Sequence, residues 1–281
     1  QDVGVFGSKT IKTPNLDKMA KGGMKFTDFY SLAAVCSPSR AGLMTGCYPP
    51  RVGITKVLFP RDKIGLNPNE TTIAEVLKTR NYSTAAIGKW HIGHLPQFLP
   101  TNHGFDSYYG IPYSNDMDGI KGKNRNLDRA WIERDISPWN VPLLRNTKEI
   151  ERPVNQNNIT KRYTLEAQKF IKKNKNKPFF LYLPHSMPHI PLFVSDEFYS
   201  NNPKEAYIRT IQEIDHSVGQ ILETIKEEGI DNNTLVIFTS DNGPWHLKLR
   251  HHGGSALPLR GAKFSTWEGG MRVPTIMRWP G

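Results

Sequence analysis

The 281-residue chain has only two cysteines, Cys36 and Cys47. Two are too few for a disulfide framework, so cysteine usage leaves the redox compartment open. No apolar run approaches the ~18 residues needed to cross a bilayer, so no membrane span is expected. The chain also has no start methionine, signal sequence, internal repeat or low-complexity linker. The opening "QDVGVFG" reads as the middle of a longer segment, so targeting signals indicate no compartment, and residues 1–281 are most simply one domain. Acidic residues are in deficit: 26 Asp and Glu face 37 Lys and Arg, a formal charge of +11. This favours an anionic partner without choosing among nucleic acid, a membrane surface and an acidic small molecule. The basic residues are scattered, and the densest group, "KKNKNK" at 172–177, follows an amphipathic stretch and reads as a solvated helix end. What the chain does have, 37% apolar and 10% aromatic residues, supports a real core.

From about residue 71 the pattern alternates in type. "TTIAEVLKTRN" shows helical spacing after threonine caps, and "STAAIGKWH" is a short apolar run ending in polar residues. "ITKRYTLEAQKFIKK" reads as a helix and "KPFFLYLPH" as an aromatic-rich strand. Between about 204 and 228, Tyr207, Ile208, Ile211, Ile214, Val218, Ile221, Leu222 and Ile225 recur every three or four residues, predicting a long helix that Gly229 stops. "NTLVIFTSDNG" follows as a continuous apolar strand. Helices alternating with wholly apolar strands predict an α/β fold, a largely parallel central sheet sandwiched by helices. The Asn-, Pro-, Tyr- and Trp-rich region of about 95–158 has little periodicity and reads as long surface loops.

Ligands of open α/β sheets sit beyond the carboxyl ends of strands. Three such ends carry reactive side chains: Lys89 and His91, His185 and His189, and Asp241 with Asn242. A lone histidine is more often structural; their shared topological position is what argues for one site. Asp241 and Asn242 offer hard oxygens suited to Ca²⁺ or Mg²⁺, although "DNGP" is also good turn chemistry. Arg40, Lys89 and Lys263 supply cations, which singly would read as surface charges, and Arg40 can grip a tetrahedral oxyanion with two bonds. His91 and His189 could move protons near neutral pH. Cys36, four residues before Arg40, reads either as a thiolate nucleophile or as a small buried hydrophobe. Residue chemistry alone thus points to metal-assisted hydrolysis of an anionic ester.

The segment "CSPSRAGLMTG" resembles the first sulfatase signature, and "GKWHIGH" the second. "HGFDSYYGIPYSND", "TSDNGPW" and "LRGAKFSTWEGGMRVP" are also similar to sulfatase segments, the first of these to the arylsulfatase A and N-acetylgalactosamine-6-sulfatase branch. The resemblance covers nearly the whole chain and implies an alkaline-phosphatase-like fold. It implies that Cys36 is the precursor of formylglycine, whose hydrated aldehyde attacks sulfur with one hydroxyl and releases sulfate through the other. A plain serine or cysteine ester lacks that second group. Arg40 and Lys89 would hold the diol, His91 would assist sulfate release, and His189 and Lys263 would contact the sulfate and the leaving oxygen. Ser114 would touch the sulfate, and Asp241 and Asn242, with the modified Cys36, would ligate Ca²⁺. His185 matches less securely and stays outside the set.

The resemblance also implies an Asp-Asp pair on a first strand and a smaller C-terminal sheet subdomain, and the chain is expected to lack both. Two residues, formylglycine and sulfate fall short of the six to eight oxygens Ca²⁺ usually takes, so full calcium affinity is not expected of these residues alone. Implied partners are a sulfated small molecule or glycan, such as an aryl sulfate or a galactose- or N-acetylgalactosamine-type sulfate, and a formylglycine-generating enzyme. Nucleic acid is not among them. The implied setting is periplasmic, secreted or lysosomal. Two competing readings are a phosphonate monoester or phosphodiester hydrolase of the same superfamily, and a non-catalytic polyanion-binding relative with a dead site.

Overall fold

The computed structural model describes residues 2–281. In chain order, α1 (Pro14–Lys21), β1 (Met24–Phe26) and α2 (Cys36–Thr45) lead to α3 (Ile73–Lys78), β2 (Ser83–Ile87) and β3 (Ser107–Gly110). Helix α4 (Leu127–Glu133) and the strands β4 (Leu143–Arg145) and β5 (Lys148–Glu151) precede α5 (Ile159–Asn174) and β6 (Phe179–Tyr182). Helix α6 (Ala206–Glu227), β7 (Val236–Phe238), α7 (Glu268–Met271) and β8 (Thr275–Arg278) complete the order.

The α/β class holds, but the sheet is mixed. One sheet runs β5-β4-β3-β2-β6 and another β1-β8-β7. Parallel pairing is confined to β2 with its neighbours β3 and β6. Strands β3, β4 and β5 pair antiparallel, as do the three strands of the smaller sheet. The reason is local: only two residues separate β4 from β5, and so short a link can join only antiparallel neighbours. Asn146 in that link takes φ 56°, a left-handed conformation that asparagine tolerates.

Several elements form for the reasons their residues suggest. Thr72 caps α3: its hydroxyl accepts from the Glu75 amide at 3.3 Å, and the Glu75 carboxylate accepts from the Thr72 amide at 2.7 Å. Helix α6 buries Ile211, Ile214, Ile221 and Ile225, each worth roughly 1.5–3 kcal/mol, and Gly229 at φ 71° follows its end. Its Val218 and Leu222 pack against a second cluster that includes Leu16 and Met19 of α1, so α6 joins the two sheets' layers. Asp215 of α6 strengthens that joint by accepting from the Leu16 amide at 2.8 Å and the Asn15 amide at 3.2 Å at the start of α1.

Region 95–158 departs from the surface-loop expectation. It contains β3, α4 and the β4–β5 hairpin, and it buries Tyr113, Trp131, Trp139, Val141 and Leu143 in the largest apolar cluster. Aromatics spaced for loop packing leave no helical or strand period, so their burial depends on the tertiary fold. Strands β6 and β7 are end strands of their sheets, and both line one cavity of about 1970 Å³.

Candidate active site

The site forms where β2, β6 and β7 end. Beyond β2, the Lys89 amide donates to Pro184 O at 2.8 Å and the Trp90 amide to Ile111 O at 3.0 Å, so pairing continues past the strand and aligns three loops. Gly88 makes the approach possible: at φ 130°, a Cβ there would lie 2.0 Å from Pro184 O. Lys89 and His91 are thereby buried next to Ser114 and His189.

Helix α2 brings Cys36. Its sequence showed no helical period because the helix is enclosed almost all round, with Cys36 to Gly42 and Met44 buried. Pro38 lies in the first turn, where amide hydrogens have no intrahelical partner to lose. Ser37 anchors the turn by accepting from the Leu58 amide at 3.1 Å.

The polar groups form a connected line. Lys89 Nζ lies 3.6 Å from Cys36 Sγ and donates to Ser114 Oγ at 3.0 Å. Ser114 Oγ is 3.3 Å from His189 Nδ1, which also lies 2.8 Å from Ile190 O. Arg40 Nε meets Asp241 Oδ2 at 2.8 Å and its Nη1 donates to Lys89 O, while its charge also acts on Cys36. Both cations act on Cys36, and Lys89 is the one whose ammonium lies within contact of the sulfur. His91 Nε2 sits 2.9 Å from Leu58 O, while its Nδ1 is buried without a partner. Lys263 Nζ lies 4.7 Å from the centroid of the Trp245 ring.

Burial and charge act together on this group. Burial lowers Lys89, and Arg40 and Lys263 lower it further against the pull of Cys36 and Asp241. Burial and then the neighbouring cations hold His91 and His189 well below the ordinary imidazole range, so both rings are neutral at pH 7. Burial raises Asp241, yet Arg40, Lys89 and Lys263 outweigh it and keep the carboxylate well below its usual range. The result is a pocket of buried cations around two neutral imidazoles.

The donor set fits a hard cation in part. Asn242 spends its Nδ2 on Gly243 O at 2.9 Å and leaves Oδ1 buried without a partner, while Asp241 contributes a carboxylate. Both suit Ca²⁺ chemistry, but they are fewer than its usual six to eight oxygens.

Every residue singled out in the sequence lies at or against this place, with His185 set apart. His185 Nε2 is 3.2 Å from Ser217 Oγ on α6, and burial lowers it to about 4, the environment of a packing residue. Sequence reasoning missed Asp116, Tyr182 and Trp245. Asp116 Oδ1 is 3.8 Å from His189 Nδ1, too far for a hydrogen bond, and its signal was its place two residues beyond Ser114. Tyr182 is held above its usual range, chiefly by burial, and interacts with Arg40 from the end of β6, where it read as a strand hydrophobe. Trp245 faces His189 with ring centroids 5.5 Å apart. A separate cluster also went unread: Asp128 Oδ1 lies 2.6 Å from His251 Nε2 and 2.8 Å from His252 Nε2, tying α4 to the loop after β7.

Comparison with known proteins adds an independent line. The Sulfatase family model matches residues 1–281. Arylsulfatase G of Rattus norvegicus is 39% identical and aligns with 100% of this chain and 57% of its own length. N-acetylgalactosamine-6-sulfatase of Rattus norvegicus is 38% identical over 100% of this chain and 54% of its own length. The chain thus spans little more than half the length of these curated relatives. The solved structure of Ps i-CgsB in complex with k-i-k-neocarrahexaose superposes with TM-score 0.82 at 37% identity, covering 99% of this chain and 63% of that one.

Proposed function

The chain belongs to the sulfatase family, and from that premise we propose that it hydrolyses a sulfate monoester at the Cys36–Lys89–Ser114–His189 line. The observation that carries the reading is that buried line itself: a modifiable sulfur, a lysine, a hydroxyl and a neutral imidazole in sequence, flanked by Arg40 and Lys263. Residues 1–281 act in it as a single catalytic domain.

Oxidised to formylglycine by a maturation enzyme that brings its own oxidant, and then hydrated, Cys36 would attack sulfur with one hydroxyl and expel the alcohol, and deprotonation of the second hydroxyl would expel sulfate and restore the aldehyde. Asp241, Asn242 and the modified Cys36, with further oxygens, would hold Ca²⁺, which when bound would supply positive charge beside the ester oxygens. Arg40, fixed by Asp241, and Lys89 hold the nucleophile in place. His91, neutral and anchored on Leu58 O, accepts the proton whose loss frees sulfate. Lys263 and His189 meet the charge that develops on the leaving oxygen, and Ser114 donates to a sulfate oxygen. Their cationic and polar groups are held in place and largely buried, where such charge stabilisation counts most.

A sulfated carbohydrate is the substrate class we favour, because the relatives include an N-acetylgalactosamine-6-sulfatase and the Ps i-CgsB structure contains a neocarrahexaose. The partner in maturation is a formylglycine-generating enzyme, and the setting is periplasmic, secreted or lysosomal. Phosphonate monoester hydrolase SpPMH from Silicibacter pomeroyi shares the fold, with TM-score 0.66 at 18% identity. Its much lower identity, beside 37–39% for sulfatases, puts that chemistry second. The intact polar line weighs against a dead polyanion-binding relative.

The test is mass spectrometry of the peptide holding Cys36, paired with release of 4-nitrophenol from its sulfate. Loss of mass matching thiol-to-aldehyde conversion, with turnover abolished in Cys36→Ala, is the expected outcome. Full activity in that variant would remove the mechanism.

A further inference from the structure

We propose that Phe264 is a stacking platform for the apolar face of the pyranose ring that bears the sulfate. The inference rests on the sulfate-ester reading and extends it to a binding residue of the leaving group.

Three observations point there. Phe264 takes φ 75°, a backbone conformation that bulky L-residues rarely adopt. A residue held in such a state costs stability and marks a place where function outweighs fit. Phe264 is also 59% exposed, so core packing does not repay that cost. Finally, its position is built. The Phe264 amide donates to Ala34 O at 3.0 Å, and the preceding Lys263 amide donates to Pro244 O at 2.9 Å, which pins the strained residue and its neighbour between two other loops.

The ring lies where a sugar attached to the ester would pass. Phe264 meets Trp245 edge-on, with centroids 5.5 Å apart and planes at 72°. Trp245 in turn faces His189. The Lys263 ammonium sits over both aromatic rings, 4.7 Å from the Trp245 centroid and 5.5 Å from that of Phe264. An aromatic wall therefore runs outward from the lysine assigned to the leaving oxygen. A pyranose presents C–H bonds along one face, and an exposed aromatic ring beside a cation offers that face an apolar, electron-rich surface. The class of ligand is thus a pyranoside sulfate, with the sugar ring on Phe264 and the ester oxygen at Lys263.

The experiment compares matured wild type with Phe264→Gly and Phe264→Tyr on 4-nitrophenyl sulfate and on a panel of galactose and N-acetylgalactosamine sulfates. Glycine fits φ 75° without strain, so the Phe264→Gly thermal midpoint holds or rises. Its KM for the preferred sugar sulfate rises about tenfold, and Phe264→Tyr restores it to within about twofold of wild type. The loss of kcat/KM in Phe264→Gly is several-fold larger for the sugar sulfate than for 4-nitrophenyl sulfate, whereas a displaced Lys263 would lower kcat on both alike. An unchanged sugar-sulfate KM in Phe264→Gly, or equal loss of kcat on every substrate, overturns the platform. Turnover of the aryl ester with none of the sugar sulfates overturns it too. Failure of the matured wild type on every sulfate ester would instead bring down the sulfate-ester reading on which it rests.

Discussion

The ends of β2 and β7 each supply part of the site, yet their surroundings differ. Around β2 the chain is closed: Ala85, Ala86, Ile87, Lys89, Trp90, His91 and Ile92 are all buried in succession. Around β7, within these 281 residues, the strand pairs with β8 alone and Leu235 and Ile237 are about half exposed. The closed half strips water from Lys89 and His91 and shifts both downward. The open half contributes Asp241, whose side chain keeps 23% exposure and stays ionised because cations surround it. Burial tunes one half and charge the other. Arg40 Nε on Asp241 and Arg40 Nη1 on Lys89 O join them.

Cutting that joint should have the largest effect. Arg40→Ala leaves Asp241 beside Asn242 without its partner, and is expected to cost about 3–5 kcal/mol in urea unfolding, along with most turnover. A loss below about 1 kcal/mol would mean that the two halves do not depend on this pair.

The next contrast lies within the halves themselves. Ile87→Ala, at a position 3% exposed, is expected to cost roughly 2–5 kcal/mol through lost burial and a residual cavity. Denaturant midpoints with unchanged m-values would report it cleanly.

Titration probes a smaller effect with opposed origins in the two halves. His91 and His189 have folded pKa values below their unfolded ones, so their contribution is present above about pH 6.5 and is lost as pH falls through the range beneath it. Asp241 is also depressed, so its contribution persists to about pH 4 and fades only below that. Stability should therefore decline in two stages on acidification, and His91→Gln with His189→Gln should flatten the first while sparing the second. A decline that is unchanged in the double variant would separate it from these histidines.

The smallest effect is expected at Ile237→Ala. At 50% exposure its loss should stay below about 1 kcal/mol, several-fold less than at Ile87. Similar costs at the two positions would erase the contrast between closed and open halves.

How legible each element was follows from how much of its pattern is local. Helix α6 could be read because one face is buried and the other wet, and α3 because Thr72 and Glu75 cap it within four residues. Helix α2 could not, since burial on all sides removes the periodicity that reveals a helix. The hairpin of β4 and β5 and the burial of Trp131 and Trp139 were equally hidden, because nothing within their own segments distinguishes an enclosed loop from a wet one. Asp128 lies more than a hundred residues from the adjacent His251 and His252 and meets them only through the fold.

By itself the sequence determined which chemical groups are available and which strand ends carry them, because side-chain type and apolar periodicity are local properties. It also set family membership, since the ordered motifs are written in residues. Tertiary structure alone decided that the Lys89 ammonium lies beside Cys36, that Arg40 spans the two halves, and that the His91 and His189 rings are buried and neutral. Those outcomes depend on which groups lose water and which charges they meet, and both are set by distances between residues far apart in the chain.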